Sequence, residues 1–239
     1  MSQKWVGCLF VSGCLILMLA GCVPDSPSGQ SNVVSPATLV PSASPRPTAT
    51  AIPRGTVLYQ ADWSHGLSGW QASGGWQVMH GQLEVNSPAM ASIFVPYRLT
   101  VTSYALEMRI QVVRLLHENG GYFSIFAQKA SGRDGYQAGV SDLKGTEPRP
   151  NGSHPQAQVF IDPSGSTIRG TGTPIDYEPG WQWHTYRVEV QDNQARLLVD
   201  DVQIGMASSD KTDVLSNGPL GLSTAQTVLR VSNLRIIAL

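Results

Sequence analysis

Two carboxylates facing each other across a glycosidic bond can hydrolyse it, one as acid and one as nucleophile or base. No Glu-x-Asp-x-x-Glu run places such carboxylates on one strand of this chain. Glu107 is alone in its segment, while Glu118, Asp134, Asp142 and Glu147 fall in expected loops. Asp200 and Asp201 are adjacent, so on a strand they would point to opposite faces. Nucleophilic catalysis has less to work with. The three cysteines are Cys8, Cys14 and Cys22, all near the start, and no Gly-x-Ser-x-Gly elbow occurs. His65, His80, His117, His154 and His184 are not at metal-ligand spacing with one another. Recognition fits these residues better than bond breaking. A sugar ring has apolar C–H faces that stack on aromatic rings, and hydroxyls that bond to amides. Tyr122-Phe123-Ser124-Ile125-Phe126-Ala127-Gln128 and Tyr136-Gln137 supply both kinds of group. The candidate ligand contacts are Tyr122, Phe126, Gln128, Tyr136, Gln137 and Trp181. Tyr122, Ser124, Phe126 and Gln128 share one face of a strand, but the other face also carries an aromatic, so either face fits a binding surface.

Composition narrows the partners. Lys and Arg number 16 against 17 Asp and Glu, a formal charge of −1, so no excess positive charge is present to neutralise phosphates. A strongly basic nucleic-acid binder is excluded. Charged residues are 14% of the chain, below the roughly 25% of ordinary soluble proteins. Gly (24) and Pro (16) are abundant, which excludes a coiled coil or helical bundle. A hydrophobic content of 41% is still enough to build a core.

The elements that must position the candidates are strands. Large apolar residues alternate with small or polar ones through Tyr104–Val112, the mark of a strand with one buried face. Tyr186–Val190, the turn signal Asp192-Asn193 and Ala195–Val199 predict a hairpin; Trp76–Met79, His80-Gly81 and Gln82–Val85 predict another. Further strands are expected at 57–61, 91–95, 121–129, 135–141, 157–161, 203–206, 219–223 and 227–237. No helical stripe is evident. Many short strands with Gly-rich turns predict an all-β sandwich or barrel. Trp70 and Trp76, each beside a glycine, are expected in the core. Residues 141–180 are the most variable-looking stretch, with loop runs at Pro148–Gly152 and Gly170–Pro174, and Arg149, Tyr177 and Trp181 are candidate rim residues.

The N-terminus has Lys4, then an apolar run from Trp5 to Ala20, the layout of a secretory signal. The run is about 16 residues, short of the ~20 that span a bilayer. It ends Leu19-Ala20-Gly21-Cys22, which resembles the lipobox of bacterial lipoproteins. That resemblance implies cleavage before Cys22, a lipid on Cys22, and a membrane partner through that lipid. The expected localisation is the cell membrane or surface, with the domain outside the cytoplasm. Residues 23–55 hold seven prolines and no aromatic residue, a tether of up to roughly 100 Å. The expected organisation is a signal peptide at 1–21, lipid anchor and linker at 22–55, and one domain at 56–239.

Within that domain, Leu58–Trp63, Gly69-Trp70, Gly75–Val78 and Gly81–Leu83 resemble the opening of concanavalin A-like jelly-roll domains. Trp183–Val190 with Leu198–Asp201, and Gly218–Leu222 with Val231–Ile236, resemble their later segments. Asp201 departs from the pattern where a turn glycine is usual, and Ser232 where aspartate is common. The resemblance implies a two-sheet antiparallel jelly-roll sandwich. It implies three kinds of function. The favoured one is non-catalytic binding of a polysaccharide or cell-wall glycan. The rivals are a glycoside hydrolase, as in the family 16 glucanases, and a structural or protein-binding module of laminin-G type. The glucanase pattern Glu-x-Asp-x-x-Glu is missing. Some relatives hold a structural calcium ion, for which Asp62 is the candidate; the alternative is that Asp62 caps a turn. No other cofactor is expected.

Overall fold

A residue pattern of period two leaves each strand one apolar face, and two such faces must meet. The computed structural model describes residues 52–117, 120–130, 134–143, 154–161, 169–170, 172–209 and 215–239. The signal, Cys22, the linker as far as 51, Glu118, Glu147, Arg149 and the other residues between these ranges lie outside the described residues.

In chain order the strands are β1 (Val57–Gln60), β2 (Gln71–Ala72), β3 (Trp76–Met79), β4 (Gln82–Ser87), β5 (Ala91–Phe94), β6 (Tyr104–Leu115), β7 (Gly121–Gln128) and β8 (Asp134–Leu143). They continue as β9 (Gln156–Ile161), β10 (Arg169–Gly170), β11 (Ile175–Asp176), β12 (Trp183–Gln191), β13 (Gln194–Val199), β14 (Val202–Ser208), β15 (Leu220–Ala225) and β16 (Thr227–Ala238). Among the described residues the sole helical piece is a 3-10 turn at Trp63–His65.

The strands form two antiparallel sheets, as the sequence pattern predicts. The first has the order β14-β13-β12-β6-β16-β4-β3, with β1 also on β16; the second has β10-β9-β8-β7-β15-β5-β2, with β11 also on β9. Both predicted hairpins form. His80 and Gly81 have φ of 53° and 71°, the left-handed values that a two-residue turn between β3 and β4 requires. One expectation needs correction: Asp134 and Asp142, expected in loops, belong to β8. Asp200 and Asp201, with φ of 47° and 66°, make the turn between β13 and β14, as the resemblance implies for Asp201. Asp tolerates that conformation better than most residues, which is how Asp201 replaces the usual glycine.

The core lies between the sheets. From the first come Leu83, Val85, Tyr104, Leu106, Met108, Ile110, Tyr186, Val188, Leu197 and Leu234; from the second come Ile93, Phe123, Ile125, Tyr136, Val140, Val159 and Leu222. Burying each large side chain contributes about 1.5–3 kcal/mol. Phe123 meets Tyr186 across the interior edge to face, with centroids 4.9 Å apart. The hydroxyls of Tyr104 and Tyr136 meet there too, at 3.2 Å, so each satisfies the other. Trp76 is buried as expected; Trp70 is half-buried and packs on Trp63 at 4.9 Å.

Candidate functional site

The outer faces of the two sheets differ in chemistry. On the first, charges alternate across strands and pair. Glu107, 7% exposed, accepts from Arg235 Nε at 2.7 Å and from Arg187 Nη1 at 3.2 Å; Arg187 Nε also reaches Glu189 at 2.9 Å. Glu84 takes Arg230 Nε at 2.9 Å. The register makes these contacts direct, since Arg187 and Arg235 flank Glu107 and Arg230 stands opposite Glu84. Arg109 covers the ring of Trp183 at 5.3 Å. On this face Glu84, Glu107 and Glu189 each have an arginine partner.

The outer face of the second sheet is aromatic, amide and hydroxyl. Because Phe123, Ile125 and Ala127 join the core, Tyr122, Ser124, Phe126 and Gln128 turn outward. Cross-strand pairing lines up Gln71, Phe94, Gly221, Phe126, Gln137 and Phe160 in one row. The next row is Ser92, Ser223, Ser124, Gly139 and Gln158. Neither row contains a charged residue. Phe126 is 5% exposed although it points outward. Its ring lies over Gly221, where a Cβ would stand 2.6 Å from Phe126 Cζ, and it meets Phe94 edge to face at 5.4 Å. Glycine at 221 is therefore what lets the two phenylalanines close into one apolar floor.

Two hollows open on this face. A shallow one of ≈ 80 Å³ lies between Tyr122, Ser124, Gln137, Gly139, Gln158 and Phe160. Partial burial raises the Tyr122 phenol above its ordinary pKa, so it stays a neutral hydroxyl that can donate and accept. A larger pocket of ≈ 510 Å³ lies at the end of the face, where β5 and β7 finish and β15 begins. That volume falls in the roughly 300–1,000 Å³ range of small-molecule sites. Phe94 and Tyr97 give it aromatic surface; Gln71, Arg98, Gln128, Lys129 and Asn217 give it polar groups. Its wall is fixed by backbone. Gln128 N–H donates to Pro219 O at 2.8 Å, and Gly218 N–H donates to Gln128 O at 2.9 Å. Asn217 Oδ1 accepts from the Ala130 N–H.

The sequence-predicted contacts divide accordingly. Tyr122 and Gln137 line the shallow hollow, and Gln128 lines the pocket. Phe126 belongs to the floor beneath them. Tyr136 needs correction as a ligand contact: it is 0% exposed, faces the core opposite Ala127, and spends its hydroxyl on Tyr104. Trp181 is exposed but stands apart from the others, beside the first sheet, where its carbonyl accepts from Gln111 Nε2 at 2.8 Å. Phe94, Tyr97, Arg98, Gln71, Lys129 and Asn217 were not singled out by sequence. Phe94 carried the one available signal, its place as the outward residue of an alternating strand.

Two other polar groups resolve as structural. His184 Nδ1 is 2.6 Å from Asp200 Oδ2 and Nε2 is 2.9 Å from Pro179 O, so both ring nitrogens are engaged. Burial would raise the Asp200 carboxyl, but hydrogen bonds from Thr185 N–H and His184 outweigh it and hold it below the usual range. Asp62 Oδ1 accepts from Ser64 N–H at 2.9 Å and caps the 3-10 turn. That bond, more than any charge, lowers its pKa. Among the described residues no three His, Cys, Asp or Glu side chains gather into a metal-binding group.

Comparisons with known proteins agree with this architecture. Residues 61–237 match the family described as a 3-keto-alpha-glucoside-1,2-lyase-like domain. No curated protein sequence matches the chain. Among solved structures, the carbohydrate-binding module CBM66 from Bacillus subtilis is similar at 13% identity and a TM-score of 0.53, over 71% of this chain and 96% of its own. A Bacillus subtilis protein of unknown function with a galectin-like fold gives 12% and 0.58, over 78% and 97%. A beta-1,3-glucanase from Mycobacterium marinum gives 11% and 0.50, over 76% and 99%. At these identities the likeness is one of fold, and the fold serves binding modules and hydrolases alike.

Proposed function

The chain belongs to the 3-keto-alpha-glucoside-1,2-lyase-like domain family, and from that premise we propose that its sandwich binds a saccharide on the outer face of the second sheet. The observation that carries this reading is the contrast between the two outer faces. One pairs its charges internally, while the other sets phenylalanines, amides and hydroxyls in rows that end in a pocket. A sugar ring stacks its C–H face on Phe94, and its hydroxyls bond to Gln71, Gln128 and the amide of Asn217. Each such bond adds about 0.5–1.5 kcal/mol, so affinity depends on several acting together with the stack. A lipid on Cys22 and the proline-rich linker tether the domain at the cell surface.

A second reading, cleavage of a keto-glucoside, is favoured by the family's description. Among the described residues the titratable side chains lining the pocket are Tyr97, Arg98 and Lys129. One experiment separates the two. The full-length chain is applied to immobilised glycans, with 3-keto-glucosides added in solution, and both bound protein and released sugar are read. The proposal expects binding without release, weakened about tenfold or more by Phe94→Ala, given the 1–3 kcal/mol that stacking on an aromatic contributes. Release of sugar favours the second reading. Silence in both channels favours a protein-binding role.

A further inference from the structure

Among the described residues that line the end pocket, three polar side chains are neutral amides, Arg98 is a cation, and none is a carboxylate. This is a local property, since the whole chain carries a formal charge of −1. On the opposite sheet Arg187, Arg230 and Arg235 all meet glutamates. Among the described residues no carboxylate pairs with Arg98. Asn217 points the same way. Its Oδ1 already accepts from the Ala130 N–H, which leaves two donors on the amide NH₂ against one oxygen lone pair. A guanidinium with such donors beside it favours an anionic acceptor.

A neutral sugar entering this pocket takes water from a guanidinium and returns hydroxyl oxygens, weak partners for a full charge. A carboxylate returns two anionic oxygens in the spacing of the guanidinium fork, a stronger and directional pair. We propose that the pocket takes an acidic sugar, a uronate whose carboxylate pairs with Arg98 while its ring lies against Phe94. This deepens the saccharide-binding reading and rests on it. Arg98 lies in the segment between β5 and β6, clear of the core, so its substitution leaves the sandwich intact.

The test titrates the full-length chain, in detergent, with matched pairs of oligosaccharides. Oligogalacturonate and oligoglucuronate are each compared with the carboxyl-reduced form of the same oligomer, and with a sulfated neutral oligomer. The expected result is a preference of about tenfold or more for the uronate over its reduced partner at about 50 mM salt, shrinking as salt screens the pair. Arg98→Gln removes the preference, and Arg98→Lys restores part of it. Equal binding of both members, or a preference that survives Arg98→Gln, overturns the inference while saccharide binding stands. A preference confined to the sulfated oligomer overturns the choice of carboxylate. If no oligomer of either kind binds, the saccharide-binding reading fails and this inference fails with it.

Discussion

Tyr136 tests which face of the second sheet meets the core. Its hydroxyl is fully buried and its partner is the equally buried hydroxyl of Tyr104, 3.2 Å away. Tyr104→Phe leaves Tyr136 with a buried hydroxyl and no partner, a loss of about 1–3 kcal/mol. Tyr136→Phe is expected to cost less. Ser216, whose buried Oγ has no hydrogen-bond partner, stands beside Tyr104 and can accept the proton that Tyr136 no longer takes. The double variant removes both hydroxyls together. Its cost falls below the sum of the singles, with a coupling of about 1 kcal/mol, because neither hydroxyl remains to be orphaned. Urea unfolding measures all three, and melting points should follow at about 2–4 °C per kcal/mol. Glycan affinity stays at the wild-type value throughout, since neither side chain reaches the outer face. The reasoning is refuted if the single costs simply add. It is refuted equally if Tyr136→Phe weakens binding at unchanged stability.

Three further outcomes follow from the same geometry. Burial pushes the phenols of Tyr104, Tyr136 and Tyr186 well above their ordinary value. Below about pH 10 both folded and unfolded chains hold these protons; above it only the folded chain does, so stability falls by about 1.4 kcal/mol per pH unit for each tyrosine, measurable by urea unfolding from pH 8 to 11. Glu107→Gln leaves Arg187 and Arg235 without their shared anion and costs about 1–3 kcal/mol, with glycan affinity unchanged because the residue is on the opposite sheet. Gly218→Ala sets a Cβ 2.5 Å from Lys129 O and forces the pocket wall apart; a loss of about 1–3 kcal/mol in stability accompanied by weaker binding is expected, and binding at full strength would place the ligand elsewhere.

Much of the fold was legible because strand alternation and turn residues are local signals. Tyr104–Val112 and the His80-Gly81 turn can be recognised from their own few residues. The site was legible only in part. On β7 both faces carry aromatics, so Tyr122 and Phe123 look alike until the core chooses Phe123. Tyr136 inherits its side from pairing with Ala127 across a bulge, and a one-residue change of register would have turned it outward. The pocket was less accessible still. Arg98, Lys129 and Asn217 come from three separate segments, and only the pairing of β15 with both β5 and β7 brings those segments together.

The most direct test is amide hydrogen exchange of the full-length chain with and without the tightest-binding glycan of the panel. The account predicts new protection along 93–98, 126–130 and 217–222, around the pocket and the end of the aromatic row. Protection at 105–111, 183–189 and 230–235, on the ion-paired face of the other sheet, would contradict it.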